Sequence, residues 1–184
     1  MFNSLEPRRM LVAGLVVLAA LLTTPQAAHA KQITPDVDVP AELQVGEGNS
    51  LFMVGHAVGV QIYECTASTS GTAWTLLAPR ADLYDHNGKL IATHFGGPTW
   101  QANDGSWVVG KKEAAVIVDR TAIAWLKLSA ASKAVGPDGD RLARTTFIQR
   151  LNTAGGLPPA SGCDTISVGT QAEVPYTADY YFWR

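Results

Sequence analysis

The stretch ADLYDHNGKLIATHFGGPTWQANDGSWVVGKK, residues 81–112, decides the fold. It holds two turn signals, Asn87-Gly88 and Asp104-Gly105, each set between runs of strand-forming residues. Asn-Gly and Asp-Gly tolerate positive φ, and between apolar runs they are the strongest short-range mark of a β-hairpin. Read as two-residue turns, they set a register. In the first hairpin Tyr84 faces Ile91, Asp85 faces Leu90 and His86 faces Lys89. In the second, Ala102 faces Trp107 and Trp100 faces Val109, which places Trp100, Ala102, Trp107 and Val109 on one face. Between the hairpins, Gly96-Gly97-Pro98 makes a bend, glycine supplying positive φ and proline fixing its own.

Outward from this stretch the pattern stays strand-like. Residues 51–65 form a strand in which Val60 and Ile62 alternate with Gln61 and Tyr63. Residues 74–77 form a short strand that Pro79 either ends or marks as an edge. Residues 114–119, 144–152 and 172–183 are further strands, and 123–129 is a strand or a helical turn. Residues 31–47 read as an extended lead-in, and 130–140 and 153–163 as loops rich in Gly and Pro. Beyond residue 30 no window of about 12 residues shows a 3.6 period. Many short strands separated by turns predict an all-β domain, an antiparallel β-sandwich or a barrel.

The N-terminus predicts export. Arg8 and Arg9 precede the apolar run MLVAGLVVLAALL, and a small-residue segment follows, ending Ala28-His29-Ala30. This is the layout of a signal peptide over residues 1–30, cleaved after Ala30. The run is too short to cross a ~30 Å hydrocarbon core comfortably, so no membrane span is expected after cleavage. Residues 31–184 would form one domain, secreted or periplasmic. Removing Arg8, Arg9 and Glu6 from 14 basic and 16 acidic residues leaves a charge of −3. No basic stripe is present, which argues against nucleic acid as a partner. The two cysteines, Cys65 and Cys163, are expected to form one disulfide in an oxidising compartment.

Six blocks then occur in order: GVQIYEC (59–65), HFGGPTW (94–100), DGSWVVG (104–110), AWLKL (124–128), IQRLNTAGG (148–156) and VPYTADYYFW (174–183). In these the chain resembles the secreted bacterial and fungal family catalogued as domain-of-unknown-function family 3455. The resemblance implies an exported single domain of unestablished activity. Some members carry a malate dehydrogenase label, but no GxGxxG follows a strand here, and that reaction is not expected.

The chemistry-bearing residues are few. GxSxG is absent, as are HxH and HExxH spacings among His56, His86 and His94. No metal or other cofactor is therefore expected. Gly96-Gly97-Pro98 and Gly155-Gly156 lack the Lys and helix of a P-loop. The expected function is binding of a neutral polar ligand, such as a glycan or cell-envelope component. The expected site is a shallow pocket lined by His94, Thr99, Trp100, Asp104, Gln149 and Arg150. The alternative is a hydrolase or carbohydrate-active enzyme in which His94 works with a carboxylate such as Asp104.

Overall fold

The structure, a computed structural model, describes Met1 and residues 34–184. The expected signal peptide and its cleavage point lie outside the described residues. Eight strands follow in chain order: β1 (Leu51–Ser68), β2 (Gly71–Tyr84), β3 (Leu90–Phe95), β4 (Thr99–Ala102), β5 (Trp107–Val116), β6 (Trp125–Ala134), β7 (Phe147–Gly155) and β8 (Gln171–Trp183). Each pairs antiparallel with the next, and β8 pairs with β1 to close a barrel. Of the two expected architectures the chain adopts the barrel. Closure gives every strand a neighbour on both sides for at least part of its length.

The first hairpin keeps the expected register along its strands, whereas the second is shifted by one residue. Asp85 Oδ1 accepts the amides of Asn87 and Lys89, and Asp104 Oδ1 accepts the amide of Ser106. Each aspartate thus builds a longer turn in which only the glycine, Gly88 or Gly105, takes positive φ. In the first hairpin a bulge absorbs the extra residue: Tyr84 pairs with Leu90, but Leu83 pairs with Ala92, Asp82 with Thr93 and Ala81 with His94, as expected. In the second nothing absorbs it, and Trp100 pairs with Val108 and Gln101 with Trp107. A shift of one residue reverses the faces. Val108 joins Trp100 and Ala102 in the interior, and Trp107 turns outward to a partly exposed position.

Strand β2 runs through Pro79, so of the two expectations, an end or an edge, the edge holds. Only Ala81–Tyr84 pair with β3. Pro79 therefore lies where one edge of β2 is unpaired, a position at which proline is tolerated.

Two apolar clusters hold the barrel. The interior one includes Met53, Leu83, Trp100, Val108, Leu128, Ile148, Tyr180 and Phe182. Burying each large side chain of this kind contributes roughly 1.5–3 kcal/mol. Two glycines make room. A Cβ on Gly59 would stand 2.1 Å from the Arg80 carbonyl oxygen, and one on Gly110 would press Leu128 and Trp100 at 2.9 and 3.0 Å. The second cluster lies under the lead-in, whose one 3-10 turn, Ala41–Leu43, sets Leu43 beside Leu51, Trp125, Leu151, Tyr181 and Trp183. The Cys65–Cys163 disulfide ties the long β7–β8 connection to β1.

One end of the barrel is plugged. The loop between β6 and β7 puts Leu142, fully buried, into the interior cluster. Asp104 holds that loop through the Arg141 amide (2.9 Å), and Ser106 Oγ accepts the Leu142 amide (3.0 Å). The Ser106 hydroxyl itself donates to Asp104 Oδ1.

Candidate functional site

The other end is open, and strand lengths explain why. β3 and β4 are short, and their turn at Gly96-Gly97-Pro98 ends well below the tips of β2 and β5. Residues 71–80 of β2 have no β3 partner. The wall therefore has a gap, and a cavity of about 330 Å³ lies behind it. Its floor is Gln61, His94, Trp100, Arg150 and Tyr180; its sides include Leu76, Pro79, Pro98, Leu126 and Leu128. A second hollow of about 780 Å³ adjoins it, sharing Leu76, Lys112, Leu126 and Arg150. An eight-stranded barrel is wide enough to be filled by its own side chains or to hold one small ligand; the gap beside β3 and β4 leaves room for the second.

The floor is built by inward positions of adjacent strands. His94 of β3 and Trp100 of β4 are cross-strand partners whose rings stack at 4.2 Å and 7°. Tyr180 of β8 meets both edge-on, at 5.1 and 5.3 Å. Arg150 of β7 pairs across the ladder with Tyr180 and sends Nε and Nη2 to the Ala124 carbonyl at 3.1 and 2.7 Å.

Polar bonding here is incomplete. Gln61 and Trp100 are each 1% exposed, yet Gln61 Nε2 and Trp100 Nε1 have no hydrogen-bond partner. The Tyr176 hydroxyl lies near Gln61 but outside bonding geometry for that amide. A buried N–H left unpaired costs about 1–3 kcal/mol, so two in one cavity mark a place where an acceptor is expected.

The His94 ring is neutral. Burial, reinforced by the Arg150 charge and only partly offset by the Thr99 carbonyl, pulls its pKa down to about 3. Nδ1 donates to that carbonyl at 2.8 Å, which leaves the lone pair on Nε2. Burial likewise raises the Tyr180 hydroxyl, outweighing Arg150 and the hydrogen bonds from Tyr176 and Arg150; the phenol stays protonated and able to donate.

Of the six residues expected to share a pocket, His94, Trp100 and Arg150 line the cavity. The other three do not. Thr99 follows the bend and turns its hydroxyl back to the Gly96 carbonyl at 3.1 Å. Asp104 lies at the far end of β4, committed to the closed-end turn. Gln149 faces outward under the lead-in, giving Nε2 to the Leu43 carbonyl and taking the Trp183 indole N–H on Oε1. Residues 149 and 150 are consecutive on one strand, so they face opposite sides. His94 and Asp104 consequently form no hydrogen-bonded dyad.

Gln61, Tyr180 and Lys112 complete the site and were not among the expected residues. Their signal was faint. Strand β1 is apolar on both faces, so its period of two does not say which face turns inward.

Among the described residues no three His, Cys, Asp or Glu side chains converge in a way that could hold a metal ion, and no helix is long and apolar enough to cross a membrane.

Fold and site together define a disulfide-bonded, closed eight-stranded β-barrel with a ligand-sized cavity at one end. Residues 46–184 match the family described as "Protein of unknown function (DUF3455)", and the chain belongs to that family. No curated protein and no solved structure matches it.

Proposed function

We propose that the barrel is a binding module for a small molecule, received in the open mouth and acting outside the cytoplasm after signal-peptide cleavage. The observation that carries this reading is the pair of unpartnered buried donors, Gln61 Nε2 and Trp100 Nε1, at the floor of an open cavity. A cavity of about 330 Å³ lies within the ordinary range of small-molecule sites. The disulfide agrees with an oxidising compartment. A glycan stacked on an exposed aromatic platform draws less support, because Trp100 is buried and its ring already stacks on His94.

The test is occupancy against a blocked variant. Leu126 lines both hollows, and Leu126→Trp fills their junction without adding a charge. Protein purified from its native host is expected to show a bound small molecule by native mass spectrometry, and the variant to lack it. A ligand at 100 times its Kd adds about 2.7 kcal/mol, some 5–10 °C in Tm for a domain of this size. A wild-type protein that carries nothing, and whose Tm no compound in a broad small-molecule panel raises, would overturn the reading.

A further inference from the structure

Resting on that reading, we infer that the ligand is a small apolar monocarboxylate, its carboxylate on the floor and its apolar body toward the mouth. The floor is rich in donors. Gln61 Nε2 and Trp100 Nε1 are unpartnered. Arg150 uses two of its five N–H groups on the Ala124 carbonyl and one on the Tyr180 hydroxyl, which leaves two. No Asp or Glu lines either hollow, whereas Lys112, Arg120 and Arg150 do. None of these three cations makes an ion pair among the described residues. A half-buried guanidinium without a counter-ion is costly, and a carboxylate supplies the charge and two acceptor oxygens in one planar group.

The rest of the wall sets the body of the ligand. Leu76, Leu77, Pro79, Pro98, Leu126 and Leu128 surround the way out from the floor. At the rim, Leu76, Leu77, Ile117 and Leu157 are exposed at 51, 55, 70 and 39%, a cluster that an apolar ligand would cover. A sugar presents many hydroxyls that need acceptors as well as donors, and the floor offers chiefly donors. A phosphate dianion would meet one inner cation among leucines. One negative charge with an apolar body matches both halves of the lining.

The test titrates the oxidised protein at pH 7 with octanoate, 1-octanol and maltotriose, by calorimetry. Octanoate is expected to bind at least tenfold more tightly than octanol. Arg150→Gln should weaken octanoate at least tenfold and change octanol less than twofold. Lys112→Glu, at an exposed position, should weaken octanoate about threefold. If Arg150→Gln does not fold, Trp100→Phe keeps the ring, removes only the N–H, and should weaken octanoate at least threefold with octanol unchanged. Equal affinity for octanoate and octanol overturns the inference, as does octanoate binding indifferent to these variants. So does tighter binding of maltotriose, or no octanoate binding at all. Each of these leaves cavity binding itself to stand or fall on Leu126→Trp.

Discussion

The two ends of the barrel are made from the same strands and differ in how their polar groups are treated. At the closed end the inward polar groups have partners: Asp104 takes three donors, Ser106 both gives and accepts, and Thr145 Oγ1 donates to the Leu142 carbonyl at 2.8 Å. At the open end two buried N–H groups lack acceptors and the Arg150 guanidinium lacks a counter-ion. Bonds that are closed stabilise the fold, whereas bonds left open cost stability and are recovered only when a ligand arrives. The difference separates scaffold from site more sharply than residue type does, because Asp104 and Gln149 looked as functional as Arg150.

The largest expected effect tests what holds the mouth in place. Cys65→Ser frees the connection before β8 and should cost roughly 2–5 kcal/mol by urea denaturation; a cost under about 1 kcal/mol would show that the loop is held by its other bonds. Next, Ser106→Ala leaves the Leu142 amide without its acceptor at the closed end. It should cost about 1–3 kcal/mol with octanoate affinity unchanged, and lost affinity would mean the two ends are coupled.

Acid should act on the ends at different pH. The unfolded chain protonates His94 near its ordinary value, whereas the folded chain does so only near 3. The unfolded state therefore binds the extra proton between these values, and stability falls as pH drops below about 6.5. Between pH 7 and 5 the loss should be about 2 kcal/mol, and His94→Gln, which can still donate to Thr99, should abolish it. An unchanged slope in that variant would place the effect elsewhere. Asp104 answers lower down. Burial raises its pKa, but the Ser106 hydroxyl, the Arg141 and Ser106 amides and the Arg141 charge outweigh it. Its contribution is present above the ordinary carboxylate range and lost as pH falls through the depressed value.

The smallest effect sharpens the comparison most. Gln61→Met removes an unpartnered donor and keeps the volume, so the protein should gain about 1 kcal/mol while octanoate binding weakens. A loss of stability would mean that Gln61 is bonded in solution and that the two ends are alike.

Much of the fold was legible in the sequence. The turn pairs at 87–88 and 104–105 located two hairpins correctly, and the lack of a 3.6 period together with the cysteine pair predicted an all-β domain with one bridge. What failed was the register of the second hairpin; in the first, a bulge between Leu83 and Tyr84 restores the expected pairing. An aspartate two residues ahead of the amide it caps adds a residue to the turn, and its cost or gain depends on how the barrel receives the shifted strand. That single residue sent Trp107 outward and brought Val108 in.

By itself, then, the sequence determined local matters: which segments are strands, where the chain turns, that the cysteines are two, and which residues carry charge. These follow from side-chain shape and from bonds between near neighbours. Only the tertiary structure decided that the sheet closes on itself, that β3 and β4 stop short of β2 and β5, and that Gln61, Trp100 and Arg150 share a floor while Gln149 and Asp104 do not. The physical reason is that facing in or out, and having a partner or lacking one, are properties of the whole barrel. They are set by strands far apart in the chain, through register and closure, and no local pattern carries them.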